Sequence, residues 1–366
     1  MVKKIVIDAR LYGSDHTGIG VYTRGLIKHF PVVRDLQIIL IISPDQKANQ
    51  ELNNFQVYIA KFHPYSLWSQ LEMLYLLIRI RPQLLHVPHF AIPAFWPGRI
   101  ITTIHDLIKH ISRGPSSSTR HPLLYWIKYL FYLMIVKTAM LRSYKIIVPS
   151  RYWKELLVSS GKIPNPQIYV IYEGIDETYF KPEPLFPKPA LNKPYILYVG
   201  NIYPHKNVQT IIRAVIRMKG RIHLYICCAR DIFWERLQKD INLLGGQGLV
   251  TNLGKVSDHH LKYLYQNSLS FVTASNIEGF GLPGLEAMAC QTAVISSNAS
   301  CLPEIYSNAA LYFHPDSQDQ LIEKISLLLK NKHLRKDLIN KGITRARSFS
   351  WQKMSQETSN VYLQSL

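Results

Sequence analysis

Short apolar runs rich in Ile, Val and Leu alternate with longer stretches of helical period almost from end to end of this 366-residue chain. A strand buried on both faces reads as such a run, and a parallel neighbour can be reached only through a crossover, usually a helix. The alternation therefore predicts parallel sheets covered by helices, an α/β chain. The expected strands are Lys4 to Ile7, Leu36 to Ile42, Gln56 to Ile59, Leu84 to Val87, Ile100 to Ile104, Lys145 to Val148 and Ile168 to Ile171 in the first half. In the second half they are Tyr195 to Val199, His223 to Cys227, Val250 to Leu253, Leu269 to Val272, Ala293 to Ser296 and Ala310 to Phe313. Five prolines between Lys181 and Pro194 exclude regular helix there and mark a semi-rigid linker. The length suits two domains of about 150 residues each.

The stretch from Ser275 to Cys290 carries the most chemistry. Glu278 and Glu286 bracket a turn holding Gly279, Gly281 and Gly284, with Pro283 where an apolar helical run begins. Glycine tolerates positive φ and close approach of a ligand, and proline fits a first helical turn, where its missing N–H costs nothing. The N–H groups at a helix start, with the positive end of the dipole, suit a phosphate or diphosphate. The alternative for this segment is a solvated loop ahead of a surface helix.

This Glu-x7-Glu spacing around Gly-Phe-Gly-Leu-Pro resembles the donor-site signature of family-4 glycosyltransferases, which are retaining enzymes of the GT-B fold. The resemblance implies that Glu278 meets the sugar hydroxyls and Glu286 the ribose. It also implies that the backbone of Gly279, Phe280, Gly281 and Leu282 holds the diphosphate. The fold implied is two Rossmann-like parallel-sheet domains facing a central cleft. An acceptor-side domain would span residues 1–185 and a donor domain 190–348, with a C-terminal helix at 349–366 crossing back onto the first.

Other segments extend the likeness over nearly the whole chain. Asp8-Ala-Arg10 ends the first strand, and Thr17-Gly-Ile-Gly-Val-Tyr-Thr23 opens the next helical run. Strand, glycine-bearing loop, helix is a topology that brings phosphates or sugars to a helix start, so Gly18 and Gly20 are expected near donor or acceptor. A tight turn that needs glycine for its own geometry is the alternative. Ile104-His105-Asp106 ends another strand. The resemblance places His105 beside the transferred sugar, with Asp106 as the group expected to orient its ring. Gly200 and Lys206 follow the first strand of the second half, and Lys206 is placed to neutralise diphosphate charge. The chain departs from the family at Asn201, where an Arg is common, and at Gln291, where glycine is usual. A left-handed Gln at that helix end would cost about 1 kcal/mol. Pro149-Ser150 and Glu173-Gly-Ile-Asp176 match segments near the end of the family's first domain.

The formal charge is +19, and both halves are basic. Between Arg99 and Lys154 lie ten basic residues and one acid, Asp106. There Tyr125, Trp126, Tyr129, Phe131 and Tyr132 alternate with Lys128 and Lys137, the pattern of a helix at an anionic lipid surface. A buried helix with snorkelling lysines is the alternative. No zinc-finger, RRM-like or helix-turn-helix pattern accompanies the charge, so no nucleic acid is expected. Pro122 to Val136 is too short to span a bilayer and Met1 to Asp8 reads as a strand, not a signal peptide. Four cysteines without a paired framework fit a reducing cytosol, and the expected place is the inner face of the cytoplasmic membrane. His86 and His89 lack a third ligand, and neither metal nor cofactor is expected.

These readings converge on a metal-independent transferase moving a hexose from a nucleoside-diphosphate sugar to a carbohydrate or lipid-linked acceptor. The Asp-Ala-Arg start and Gly-Ile-Gly-Val-Tyr-Thr are most similar to mannosyltransferase-type members that build surface polysaccharides, so GDP-mannose leads and UDP-sugars follow. Two rivals are a nucleotide-sugar epimerase on the same fold and a non-catalytic basic protein that binds membrane or nucleic acid.

Overall fold

The computed structural model describes residues 2–13, 18–112, 122–159, 167–182, 193–228 and 231–366. Its strands, in chain order, are β1 (Lys3–Asp8), β2 (Leu36–Ile42), β3 (Gln56–Ile59), β4 (Leu84–Val87), β5 (Arg99–Thr103), β6 (Lys145–Val148) and β7 (Ile168–Val170). The series continues with β8 (Tyr195–Val199), β9 (His223–Cys227), β10 (Val250–Asn252), β11 (Ser270–Thr273), β12 (Val294–Ser297) and β13 (Ala310–Phe313). Each of the thirteen expected strands is present to within one residue at either end. For the inner strands the reason is burial. Runs such as Ile5–Ile7, Ile39–Ile42, Ile146–Val148 and Val294–Ile295 are enclosed on both sheet faces, so apolarity is continuous along them.

Contacts divide the chain into two units, one of Met1–Leu107, Ser118–Gly174 and Trp351–Leu366 and one of Ile108–Ser117 and Ile175–Ser350. The expected boundary at residues 185–190 lies outside the described residues. The first unit carries a seven-stranded sheet in the order β3-β2-β1-β4-β5-β6-β7, the second a six-stranded sheet in the order β10-β9-β8-β11-β12-β13. Every registered pair is parallel. Each sheet reverses its winding once, between β1 and β4 and between β8 and β11. In a doubly wound sheet the crevice outside the strands' carboxyl ends opens at that switch point, and ligands bind there. The loops after β8 and β11 hold Lys206 and Glu278, and those after β1 and β4 hold Arg10 and His89.

The C-terminal helix Trp351–Leu363 belongs to the first unit. It lies on the helix Gly18–Lys28, where a Cβ added to Gly25 would come within 2.3 Å of the Trp351 ring. Ser355 Oγ donates to Leu26 O at 2.9 Å, and Tyr362 hydrogen-bonds His86 Nδ1 beneath the sheet end. His86 Nε2 and Tyr22 both hydrogen-bond the Thr103 hydroxyl, at 2.9 and 3.2 Å. His86 is thus a buried link between tail and sheet.

Candidate active site

In the second unit, the turn after β11 has the geometry its composition implies, although part of the cause is internal. Gly281 caps the helix Leu282–Ala289 at φ +105°, in the left-handed region open mainly to glycine. Added Cβ atoms at Gly281 and Gly284 would lie 2.7 and 2.3 Å from the Tyr306 hydroxyl. Tyr306 packs against both positions and donates to Gly281 O at 2.7 Å. Two of the three glycines therefore make room for a tyrosine within the fold itself. At the helix end Gln291 takes φ +61°, the left-handed position foreseen for it. Thr292 N donates to Ala287 O at 2.9 Å and Gln291 N to Met288 O at 3.1 Å, a Schellman pair that offsets the strain.

Glu278 and Lys206 form an ion pair at 2.6 Å. Ser275 Oγ donates to the other carboxylate oxygen at 2.7 Å, and Glu278 N donates to Ser300 Oγ at 3.0 Å. Burial opposes ionisation of Glu278, but the Lys206 charge and the hydrogen bonds from Lys206 and Ser275 outweigh it and hold the carboxyl below its ordinary range. A carboxylate has about four lone-pair positions, so Glu278 keeps capacity to accept from sugar hydroxyls. Asn276 N donates to His205 O at 2.8 Å, tying the loop after β8 to the loop after β11. Burial and neighbouring Lys206 push the His205 imidazole down to about 4, so it is neutral at pH 7.

Glu286 stands one helical turn in, with Tyr265 OH at 3.4 Å. Burial pushes its carboxyl up to about 7; the Tyr265 hydrogen bond opposes the rise, and Asp258 and Asp176 add to it. The Phe280 side chain is core, edge-on to Phe349 at 5.6 Å, so this residue can offer a ligand only its backbone. Gly200 turns the chain after β8 at φ +137°, and Asn201 O accepts from Tyr198 OH at 2.9 Å.

In the first unit, polar groups gather at the ends of several strands. Asp8 and Arg10 form a buried ion pair at 2.6 Å, and Arg10 also donates to Phe62 O and Ser69 Oγ. Burial works against the Asp8 charge, yet Arg10 holds this carboxyl far below its ordinary range. His89 Nε2 is 3.4 Å from Asp8 Oδ2, too poorly directed for a hydrogen bond, while its Nδ1 accepts from Ala91 N. His105 Nδ1 is 3.1 Å from Glu173 Oε1 and its Nε2 is 3.1 Å from Pro88 O. The Tyr22 ring packs edge-on at 4.6 Å. Both ring nitrogens thus have partners other than Asp106, which corrects the expectation that Asp106 orients the ring. Glu173, three residues past the end of β7 at Val170, reaches it instead.

Gly18 and Gly20 occupy the first turn of the helix Gly18–Lys28, not a loop ahead of it, and residues 14–17 lie outside the described residues. A Cβ at Gly18 would meet nothing within 4 Å. Among the described residues no group of three His, Cys, Asp or Glu could hold a metal ion.

Two sequence families divide the chain between them. Residues 16–179 match Glycosyltransferase Family 4 and residues 183–345 match Glycosyl transferases group 1. The chain belongs to the family-4-type glycosyltransferases. It is 26% identical to O-antigen chain mannosyltransferase B of Escherichia coli over 94% of this chain and 96% of that protein. It is 27% identical to O-antigen chain mannosyltransferase RfbU of Salmonella typhimurium, over 82% of this chain and 78% of that one. Among solved structures, HepE of Anabaena in complex with UDP-glucose has a TM-score of 0.76 at 16% identity, over 99% of this chain and 100% of that one. That likeness establishes the GT-B fold.

Within this glycosyltransferase, Lys206, Glu278, Glu286, Gly200 and Gly279 to Leu282 lie together in the second unit, at or beside the switch point between β8 and β11. His105, Gly18 and Gly20 belong to the first unit. Residue patterns alone missed Glu173, Ser300, Cys301 and Tyr306. Glu173 was visible as part of a family-like segment, but nothing nearby in the chain pointed to His105.

Proposed function

We propose that the protein transfers a hexose, with retention at the anomeric carbon, from a nucleoside-diphosphate sugar to a hydroxyl of a carbohydrate or lipid-linked acceptor in surface-polysaccharide synthesis. The observation that carries this reading is the Lys206–Glu278 pair beside the glycine turn at the second sheet's switch point. In it, an anion-binding helix start, a cation and a sugar-facing carboxylate share one place. The names of the two O-antigen relatives favour mannose, and GDP-mannose is the donor to try first, ahead of UDP-sugars. In the proposed step the acceptor oxygen bonds to the anomeric carbon while the bond from that carbon to the diphosphate oxygen breaks. The leaving diphosphate takes the acceptor proton on the same face. Lys206 stabilises the charge that grows on the leaving group, so the gain is largest in the transition state.

Incubation with GDP-mannose or a UDP-sugar, with and without a saccharide acceptor, tests the proposal. Nucleoside diphosphate and a lengthened acceptor are expected. A changed nucleotide sugar formed without acceptor would favour the epimerase reading. We propose no metal requirement, since Lys206 supplies the positive charge at the turn, and EDTA should leave the rate unchanged.

The same reading includes attachment to an anionic membrane surface. No helix of the described residues is long and apolar enough to cross a membrane. The helix Pro122–Arg142 exposes Trp126, Leu130, Phe131 and Met134 beside Lys128 and Lys137, with Leu130 and Met134 more than 60% accessible. Tyr132 is buried and Tyr129 only half-buried, so the aromatic set divides between core and surface. The helix Trp68–Ile80, packed on the same core cluster, exposes Trp68, Leu71, Tyr75 and Ile78 along one face. The stripe on the helix Pro122–Arg142, flanked by Lys128 and Lys137, and the apolar face of the helix Trp68–Ile80 suit an interface of acidic lipid. Flotation with phosphatidylglycerol vesicles should recover the protein at low salt and less of it at high salt. Lys128→Glu with Lys137→Glu should weaken recovery, and equal recovery with neutral vesicles would count against the attachment.

A further inference from the structure

We infer that Cys301 and Tyr306 are positioning residues that aim the backbone of the donor turn at the diphosphate without touching it. The inference rests on the reading of this turn as the nucleotide-sugar site. Cys301 Sγ lies 3.4 Å from Glu278 O, 3.4 Å from Gly279 O and 3.5 Å from Phe280 O. Tyr306 OH donates to the next carbonyl, Gly281 O, at 2.7 Å. Four consecutive peptide groups thus turn their oxygens toward one short segment, 301–306.

In a planar trans peptide the C=O and N–H of the same unit point in opposite directions. Gathering the four oxygens on the Cys301–Tyr306 side therefore turns the N–H groups of Gly279, Phe280, Gly281 and Leu282 to the other side. That is the orientation an anion needs. Carbonyl oxygens crowded on one side repel one another unless a donor lies among them. The thiol is a weak donor that can serve one oxygen at a time from a central position, and the phenol is a stronger one. Both side chains are buried, with Cys301 fully enclosed and Tyr306 at 1% accessibility, so neither can reach a ligand directly. Ser300 Oγ, accepting from Glu278 N, holds the start of the same turn. Tyr306 has a second effect. Its ring fills the space that side chains at positions 281 and 284 would need.

The experiment compares binding of GDP with GMP, and of UDP with UMP, by calorimetry for wild type, Tyr306→Phe, Cys301→Ala and Cys301→Ser. A preference of wild type for diphosphate over monophosphate is expected. Tyr306→Phe should shrink that preference about fivefold, the effect of one lost hydrogen bond. Cys301→Ala should shrink it less, and Cys301→Ser, which restores a donor, should recover most of it. An unchanged preference in both Tyr306→Phe and Cys301→Ala would overturn the inference, as would a loss that falls equally on monophosphate and diphosphate. Wild type that prefers neither diphosphate would overturn the reading of the turn itself, and this inference with it.

Discussion

The two strand-end regions are laid out on the same parallel plan, yet they draw on the chain in different ways. In the second unit the acids and the turn come from one continuous stretch, Ser275 to Glu286, joined by Lys206 from the neighbouring strand's loop. In the first unit Asp8, His89, His105 and Glu173 come from the ends of four strands, and the last two are 68 residues apart in sequence. One region is a motif and the other is an assembly. A motif tolerates little change inside it, because one short backbone path fixes its turn and its side chains together. An assembly shares its work among pairs whose members hold each other.

This contrast makes graded expectations. Lys206→Ala should have the largest effect, lowering turnover about 10²–10³-fold, as loss of a group that meets growing charge does. KM for the donor should change less, and steady-state kinetics would show it. Unaltered turnover would mean that the compact region does not bear the chemistry.

Glu286→Gln comes next, and its effect should depend on pH. The carboxyl, raised to about 7, ionises as pH increases from 6 to 8. A carboxylate accepts from ribose hydroxyls more strongly than a neutral carboxyl, so wild-type affinity for GDP should rise over that window by roughly fivefold relative to Glu286→Gln. The ratio cancels the titration of the phosphate itself. The sign for the ligand-free protein is opposite. A folded value above the ordinary 4.5 means that ionisation is harder in the fold, so stability declines as pH rises from about 4.5 to about 7.

Glu173→Gln should have the smallest effect of the three and sharpens the comparison most. It removes the carboxylate that faces His105 Nδ1, so turnover is expected to fall about tenfold or less while affinity for GDP or UDP stays as in wild type. Loss of nucleotide affinity would show that the two regions are not separable in function.

The sequence alone was enough for every strand: in the inner strands enclosure on both faces leaves an uninterrupted apolar run, while β3 and β10, exposed or half-buried at the sheet edges, show only short β-prone stretches. It was enough for the geometry of the turn at Gly281 as well, because glycine and proline at fixed offsets are local requirements of one short backbone path. Even the left-handed end at Gln291 could be foreseen, since a helix end constrains the next residue whatever follows. It was not enough for Glu173 beside His105, and Asp106, the sequence neighbour, was a natural but mistaken choice. Proximity along a strand end says little about which side chain the next strand delivers. The reason for the glycines was also hidden. They read as space for a ligand, while the fold shows Tyr306 occupying the space beside two of them.

What the sequence determined by itself is therefore everything set by local rules: strand and helix order, the parallel class and the glycine turn that opens the helix Leu282–Ala289. What only the tertiary structure decided is which distant groups meet, such as Lys206 with Glu278, Glu173 with His105, and Cys301 and Tyr306 with the carbonyls of the turn. The physical reason lies in the range of the forces. Burial and backbone dihedrals act on neighbours in the chain, whereas ion pairs and hydrogen bonds act over about 3 Å in space, between residues that the parallel sheet has first to bring together.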